Sequence, residues 1–147
     1  MIAIHCRRFY VQAVDTIEYK HDFPFDPVQV ARVFDASGIK RPTHDIARIT
    51  RMFSAPCLTI SAWHEDRLIG VCRALTDFSY CCYLSDLAVD RAYQRQGIGA
   101  RMVQELRTRF NGDEVSLLLL SAPEAMDYYP KLGFAKIDNG FVIRRRG

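Results

Sequence analysis

The sequence predicts a mixed α/β fold, in which a mostly antiparallel central sheet has helices packed against it. The first observation is a series of short apolar segments between residues 57 and 89, separated by turn residues, which is typical of hairpin-linked strands. The second is an amphipathic helical pattern over residues 97–110, followed by a continuously apolar run at 115–120. Because this helix joins the strand before it to the strand after it, those two strands are predicted to be parallel neighbours through a right-handed crossover.

The chain has 147 residues, of which 49% are apolar and 25% are charged. This length fits one domain spanning residues 1–147, and the composition is that of a folded protein rather than a disordered one. No apolar run approaches the roughly 18 residues that a membrane-spanning helix needs, so no membrane partner is expected. The apolar stretch at the N-terminus is too short for a secretion signal.

The cysteines and histidines predict neither disulfides nor a metal site. The five cysteines include no C-x-x-C pair, and the adjacent Cys81 and Cys82 are too close in the chain to bridge each other. We therefore expect reduced thiols and a cytoplasmic location. The four histidines lack the spacing of metal ligands. The net charge of +3 is too small to require nucleic acid as a partner.

The first half of the chain predicts one or two strands followed by two helices. Aromatic and β-branched residues at 9–14 and 16–20 favour a strand in one or both segments. Asp26-Pro27 is typical of a helix start, and Gly38 is expected to end that helix. A second helix is expected over residues 42–56, which are bounded by a proline at each end.

The second half predicts a meander, a crossover helix and a closing hairpin. The run at 115–120 is apolar throughout, which predicts a strand buried on both faces. The dipeptide Asn139-Gly140 predicts a hairpin turn, and the exposed edges of that hairpin favour a homodimer. The expected elements are strands at 57–63, 68–75 and 80–89, a helix at 97–110, a strand at 115–120, a helix at 124–132, and hairpin strands at 134–137 and 141–144.

The segment Gln94-Arg95-Gln96-Gly97-Ile98-Gly99 joins a strand to a helix and carries the candidate chemistry. A helix N-terminus offers free N–H groups and a partial positive charge, which attract anions. Glycines there let the backbone approach a ligand closely. The segment lacks the lysine of a P-loop and the third glycine of a dinucleotide-binding turn. From the residues alone it is either a phosphate or pyrophosphate site or a tight turn without a ligand.

Two motifs resemble those of the GCN5-related N-acetyltransferase (GNAT) family. Gln94-x-x-Gly97-x-Gly99, preceded by Asp86-Leu87-Ala88-Val89-Asp90, is similar to the family's cofactor motif. Further on, residues 125–134 are similar to the family's A-x-x-x-Y-x-x-x-G-F pattern, with Tyr129 as the tyrosine. The resemblance covers roughly residues 57–141. It implies an acyl-CoA N-acyltransferase fold, in which the strand ending at Val89 bulges and splays from the strand at 115–120.

The resemblance implies transfer of an acetyl group from acetyl-CoA to a primary amine by direct attack, with no covalent enzyme intermediate and no metal. It assigns the backbone amide of Leu87 to the acetyl carbonyl and Tyr129 to protonation of the departing thiolate. Amides from Arg95 to Ala100 would hold the pyrophosphate. The implied cofactor contacts are Leu87, Ala88, Val89, Gln94, Arg95, Gln96, Gly97, Ile98, Gly99, Ala100, Ser121 and Tyr129.

The general base is where this sequence departs from the family's pattern. Relatives often carry His or Glu where this chain has Ser85 and Tyr83, and neither residue is a good base at neutral pH. The alternatives are a chain of water molecules or a carboxylate from elsewhere, either Asp86 or Asp77. A second departure is Ala122, where many relatives place an asparagine that helps hold the cofactor; Ser121 is the candidate substitute for it.

The acceptor is not selected by the sequence. The chain is little longer than a minimal domain, which favours a small-molecule amine over a protein substrate. One alternative is a non-catalytic acyl-CoA-binding module that keeps the fold. Nucleic-acid binding through the arginines at 144–146 is disfavoured, because no aromatic residues are interleaved with them.

Overall fold

The structure is a computed structural model that describes residues 16–110 and 113–146. Its five strands form one sheet in the order β1-β2-β3-β4-β5, antiparallel from β1 to β4 and parallel between β4 and β5, as predicted. Of the two segments predicted for a first strand, 16–20 falls in β1 and 9–14 lies outside the described residues. The strands are β1 (Ile17–His21), β2 (Leu58–His64), β3 (Arg67–Thr76), β4 (Cys81–Val89) and β5 (Ser116–Leu119).

Within the described residues, three α-helices pack on the sheet: α1 (Pro27–Ser37), α2 (Ile46–Ser54) and α3 (Ile98–Arg107). α1 has the predicted ends, because the Asp26 carboxylate accepts a 2.9 Å hydrogen bond from a backbone N–H of the first turn and Gly38 is left-handed, with φ 85°. α2 begins later than the predicted start at Pro42. The reason is Asp45, whose carboxylate accepts a 2.9 Å hydrogen bond from a first-turn N–H and so caps the helix there.

Each face of the sheet carries its own hydrophobic core. α1 and α2 cover one face, and α3 covers the other. The first core comprises Val30, Val33, Phe34, Ile49, Trp63, Leu68, Val71 and Ala88. The second includes Ile60, Ile69, Cys72, Leu84, Ile98, Met102, Val103 and Leu106. The central strands β3 and β4 are therefore held between two packed layers.

Strand β4 contains one residue more than β3 can pair. Arg73 is opposite Asp86, whereas the next residue of β3, Ala74, is opposite Leu84. Ser85 is thus left without a partner and forms a β-bulge, a feature that redirects the strand beyond it.

The parallel pairing between β4 and β5 is short. It joins only Cys81–Leu84 to Ser116–Leu119. Beyond the bulge the two strands no longer pair, so a gap separates the second half of β4 from the chain that follows β5. The bulge and the divergence of the strands agree with what the family resemblance implies.

The chain after β5 differs from the predicted helix at 124–132. It forms two short 3-10 turns, Pro123–Ala125 and Tyr129–Leu132. Pro130 has no N–H to donate and its ring hinders an α-helical turn, so a continuous helix through this segment is disfavoured.

The predicted C-terminal hairpin is wrong, because residues 134–146 form no strand. A two-stranded hairpin is marginally stable unless its apolar side chains are buried, and Phe141 and Ile143 are fully exposed. In the described chain β5 is therefore an edge strand with Leu118 44% exposed, so its predicted burial on both faces is also wrong. The homodimer stays a prediction and loses the hairpin as its basis.

No helix within residues 16–110 and 113–146 is long and apolar enough to cross a membrane. Across the same two ranges, no group of three or more His, Cys, Asp or Glu side chains is arranged to hold a metal ion. The free thiols there are Cys57, Cys72, Cys81 and Cys82.

Candidate active site

The backbone of β4 beyond the bulge faces the gap at two residues. The N–H of Asp90 donates to the carbonyl of Ile69 at 2.8 Å, which makes this a hydrogen-bonded pair of the β3–β4 ladder. Because hydrogen-bonded pairs alternate with non-bonded pairs in an antiparallel ladder, Ala88 turns its backbone groups toward β3. Leu87 and Val89 turn theirs away from β3, into the space that β5 leaves open.

A second feature lies where this gap reaches the start of α3. Gly97 is left-handed, with φ 80°, and caps α3 without any side-chain hydrogen bond to the first-turn amides. Arg95 is also left-handed, with φ 63°. Ile98 is buried in the α3 core, whereas Arg95, Gln96 and Gly97 are exposed. The helix N-terminus is therefore anchored by Ile98, and no side chain caps its first-turn amides, which leaves them available to an anion.

The turn is braced against α1 by Gln94. Its side-chain amide donates to the carbonyl of Val89 at 2.8 Å and to the carbonyl of Ser37 at 3.3 Å. Nearby, a Cβ on Gly38 would lie 2.5 Å from the guanidinium of Arg91, so that arginine packs closely over the end of α1. The structure thus gives the predicted cofactor residue Gln94 a bracing role, and its contact confirms that the Val89 carbonyl faces away from β3.

Two tyrosines of the chain after β5 lie beside the start of α3. A Cβ on Gly99 would lie 2.6 Å from the Tyr128 hydroxyl, so glycine is needed for that tyrosine to pack against α3. The rings of Tyr128 and Tyr129 are 5.3 Å apart, and Tyr129 also packs edge-on against Phe134 at 5.7 Å. These contacts fix the ring of Tyr129, the predicted proton donor.

The phenol of Tyr129 stays protonated at neutral pH. Burial raises its pKa above the ordinary value, with smaller contributions in the same direction from Tyr128 and Cys72, while Arg41 opposes the rise. A neutral phenol can donate a proton and cannot act as a base at that pH. The structure is thus compatible with the predicted role of Tyr129 as an acid.

The two carboxylates considered as bases are both engaged elsewhere. Asp86 is 1% exposed, and its two oxygens accept hydrogen bonds from Arg41 Nε and Arg73 Nε, each at 2.5 Å. The Asp77 carboxylate accepts hydrogen bonds from backbone N–H groups of the β3–β4 turn, and these bonds lower its pKa to about 2. The geometry therefore argues against Asp86 as the base, because a buried, doubly paired carboxylate cannot reach an incoming amine.

Comparison with known families decides what kind of protein carries this site. The family model described as an acetyltransferase (GNAT) domain matches residues 30–144. The chain belongs to the GNAT acetyltransferase family. Its fold and the order of its two motifs agree with the resemblance found in the sequence.

Among relatives of this GNAT chain, GCN5-related N-acetyltransferase 2, chloroplastic, of Arabidopsis thaliana is 35% identical over 71 residues, which are 48% of this chain and 28% of that protein. The chain thus spans less than a third of that relative's length. Because that relative is named chloroplastic, the cytoplasmic location of this chain stays a prediction.

Solved GNAT structures share the fold. An acetyltransferase of the GNAT family from Streptococcus pneumoniae superposes with a TM-score of 0.70 at 22% identity, covering 89% of this chain and 100% of that one. An aminoglycoside N-acetyltransferase in complex with CoA superposes with a TM-score of 0.68 at 14% identity, covering 93% and 99%.

The remaining predicted residues lie where β5 ends. The Ser121 hydroxyl donates to the carbonyl of Ala122 at 2.8 Å, so it is satisfied locally. The sequence did not reveal that Arg41 and Arg73 pair with Asp86. One signal was present: Arg73 interrupts the apolar run of residues 68–75, and a buried arginine needs a carboxylate partner.

The left-handed backbone of Gly97 gives a test of this turn. Gly97→Ala is expected to lower the free energy of unfolding by about 1–2 kcal/mol, because a Cβ is strained in that conformation. The added methyl meets nothing within 4 Å, so the loss comes from strain and not from a clash. Urea unfolding measures it, with Gly140→Ala as the matched control, since a Cβ there makes an ordinary 3.5 Å contact. Equal stability of the two variants would contradict the assigned backbone.

Proposed function

We propose that this GNAT domain transfers an acetyl group from acetyl-CoA to the primary amine of a small molecule. The observation that carries the proposal is the gap beside β4, with the backbone of Leu87 and Val89 facing into it. An uncapped helix N-terminus follows β4, and the protonated Tyr129 packs against Tyr128, which contacts the first turn of that helix. An extended donor with an anionic group at one end fits this arrangement.

The donor binds as an added strand. Its pantetheine amides pair with the backbone groups of Leu87 and Val89, with Ala88 between them turned toward β3. The Val89 carbonyl already accepts from Gln94, and its second lone pair remains for the donor. The pyrophosphate rests on the first-turn amides of α3, with the side chain of Arg95 in solvent beside it.

The acetyl carbonyl then lies at Leu87, and the amine attacks its carbon. A new C–N bond forms, negative charge develops on the carbonyl oxygen, and the Leu87 N–H stabilises that charge. As the intermediate collapses, the C–S bond breaks and Tyr129 protonates the departing thiolate. Since Asp86 and Asp77 are both engaged, we assign removal of the amine proton to water. The chief contribution of the protein is to hold the two reactants together.

The acceptor approaches from the Ser85 side of Leu87, because the pyrophosphate occupies the other end of the gap. Arg41 and Arg73 both contact Ser85 and share one carboxylate, so positive charge is in excess there. Such a field disfavours polycations and favours amines that carry an anionic group.

A cavity of about 270 Å³ lies on this side of the sheet and has the size of a small molecule. It is lined in part by Phe23, Phe25 and Phe53. The ring centre of Phe53 lies 5.5 Å from the guanidinium carbon of Arg73, which places the cavity next to that arginine. We assign the non-reacting part of the acceptor to this cavity.

Ligand-induced stabilisation tests the donor. Acetyl-CoA at a hundredfold excess over its dissociation constant is expected to raise the Tm of the full chain by roughly 5–10 °C. Acetyl-pantetheine, which lacks the pyrophosphate, should give a clearly smaller shift, and NAD should give none. Stabilisation by NAD and not by acetyl-CoA would contradict the proposal.

Tyr129→Phe tests the acid. We expect kcat for amine-dependent CoA release to fall about a hundredfold, since general acid catalysis typically contributes that much or more, while acetyl-CoA still binds. Tyr80→Phe is the matched control, because Tyr80 is 77% exposed in the β3–β4 turn and should leave kcat unchanged. The assay uses a panel of amino acids, polyamines and aminoglycosides. Binding of acetyl-CoA without turnover of any amine would favour the non-catalytic module instead.

A further inference from the structure

Three charged side chains meet at the bulge of β4. Asp86 is fully buried, with one carboxylate oxygen on Arg41 Nε and the other on Arg73 Nε. The side chain of Arg73 is 8% exposed and that of Arg41 is 24% exposed. We call these three residues the Asp86 cluster. Taking such charges out of water costs several kcal/mol each, and apolar side chains of similar volume are often at least as stabilising.

Both arginines also hold the extra residue of the bulge. Arg41 Nη2 donates to the Ser85 carbonyl at 2.8 Å, and Arg73 Nη2 donates to the Ser85 hydroxyl at 3.1 Å. A bulged residue leaves the strand ladder, so its carbonyl needs another partner. Arg41 supplies that partner.

Each arginine is itself anchored by a backbone carbonyl outside β4. Arg41 Nη1 donates to the carbonyl of Lys40 at 2.8 Å, in the segment between α1 and α2. Arg73 Nη1 donates to the carbonyl of Met52 in α2 at 3.3 Å. The bulge is therefore tied to the α1–α2 layer at two points.

The bulge decides which amides reach the gap. Leu84 is the last residue before it that pairs with β5. In an unbroken strand the residues facing the same way as Leu84 would be Asp86 and Ala88. With Ser85 inserted, they are Leu87 and Val89. Whatever fixes Ser85 and Asp86 thus fixes the direction of the Leu87 N–H.

We propose that Arg41 and Arg73 are positioning residues that act through Asp86 and Ser85 to aim the Leu87 N–H at the acyl carbonyl. This inference rests on the proposed function, because it assumes that the carbonyl lies at Leu87. The buried charges of the Asp86 cluster thereby set the direction of the Leu87 N–H, which donates a hydrogen bond to the acyl carbonyl oxygen.

The test uses Arg41→Gln in the full chain, because Arg41 is the most exposed member of the cluster and its loss is the least damaging to folding. Arg109→Gln is the matched control: its side chain is 26% exposed and pairs with Asp22 at 2.7 Å, in the segment after α3. Arg41→Lys is the conservative variant, since one ammonium can reach the carboxylate or the Ser85 carbonyl and cannot reproduce the planar fork.

Two readouts separate positioning from folding. Infrared spectra of bound acetyl-CoA labelled with ¹³C at the carbonyl report how strongly the N–H polarises that group. Steady-state kinetics separates kcat from KM. For Arg41→Gln we expect kcat to fall roughly tenfold to a hundredfold, since a displacement of about 1 Å can have that effect. The change in the carbonyl stretching frequency that accompanies binding should be lost, while the dissociation constant for acetyl-CoA changes less than threefold.

Arg41→Lys should recover part of kcat and part of the carbonyl frequency change. Arg109→Gln should match the wild type in both measurements. A folded Arg41→Gln variant with wild-type kcat and carbonyl frequency would overturn the inference. So would a fall in kcat with an unchanged carbonyl frequency, because that result places the defect elsewhere. If the wild type itself fails to bind acetyl-CoA, the proposed function is wrong, and the inference is overturned with it.

Discussion

Residues of an antiparallel strand alternate between facing the neighbouring strand and facing away from it, so one inserted residue reverses the alternation beyond it. In β4 that residue is Ser85. The consequence is that Leu87 and Val89 expose their backbone groups at the point where β5 has stopped pairing. The gap and the backbone groups that line it depend on this single register change, and so does the mode of donor binding that we propose.

The surrounding structure is arranged to hold that change in place. Cores on both faces of the sheet fix β3 and β4. Gln94 ties the turn before α3 to the end of α1, and the Asp86 cluster ties the bulge to the segment between α1 and α2. The bulge and the turn before α3 are therefore both anchored to the same helical layer, which fixes the distance between them.

The sequence predicted the elements whose signals are local. Asp26 and Gly38 mark the ends of α1 correctly, and Gly97 marks the turn before α3, because capping and left-handed turns depend on one or two residues. It failed where the outcome depends on distant partners. The C-terminal hairpin has suitable turn and strand residues, yet Phe141 is fully exposed in the described part of the chain. Asp86 looked like a free carboxylate, since its two arginine partners come from other elements.

The most direct test of the central claim is a crystal structure of the full chain with acetyl-CoA or an analogue that retains the thioester carbonyl. We expect the Leu87 nitrogen to lie about 3 Å from that carbonyl oxygen, within hydrogen-bonding distance, with Ser85 still bulged and held by Arg41. A carbonyl bound by another donor, with the Leu87 N–H turned toward β3, would contradict it.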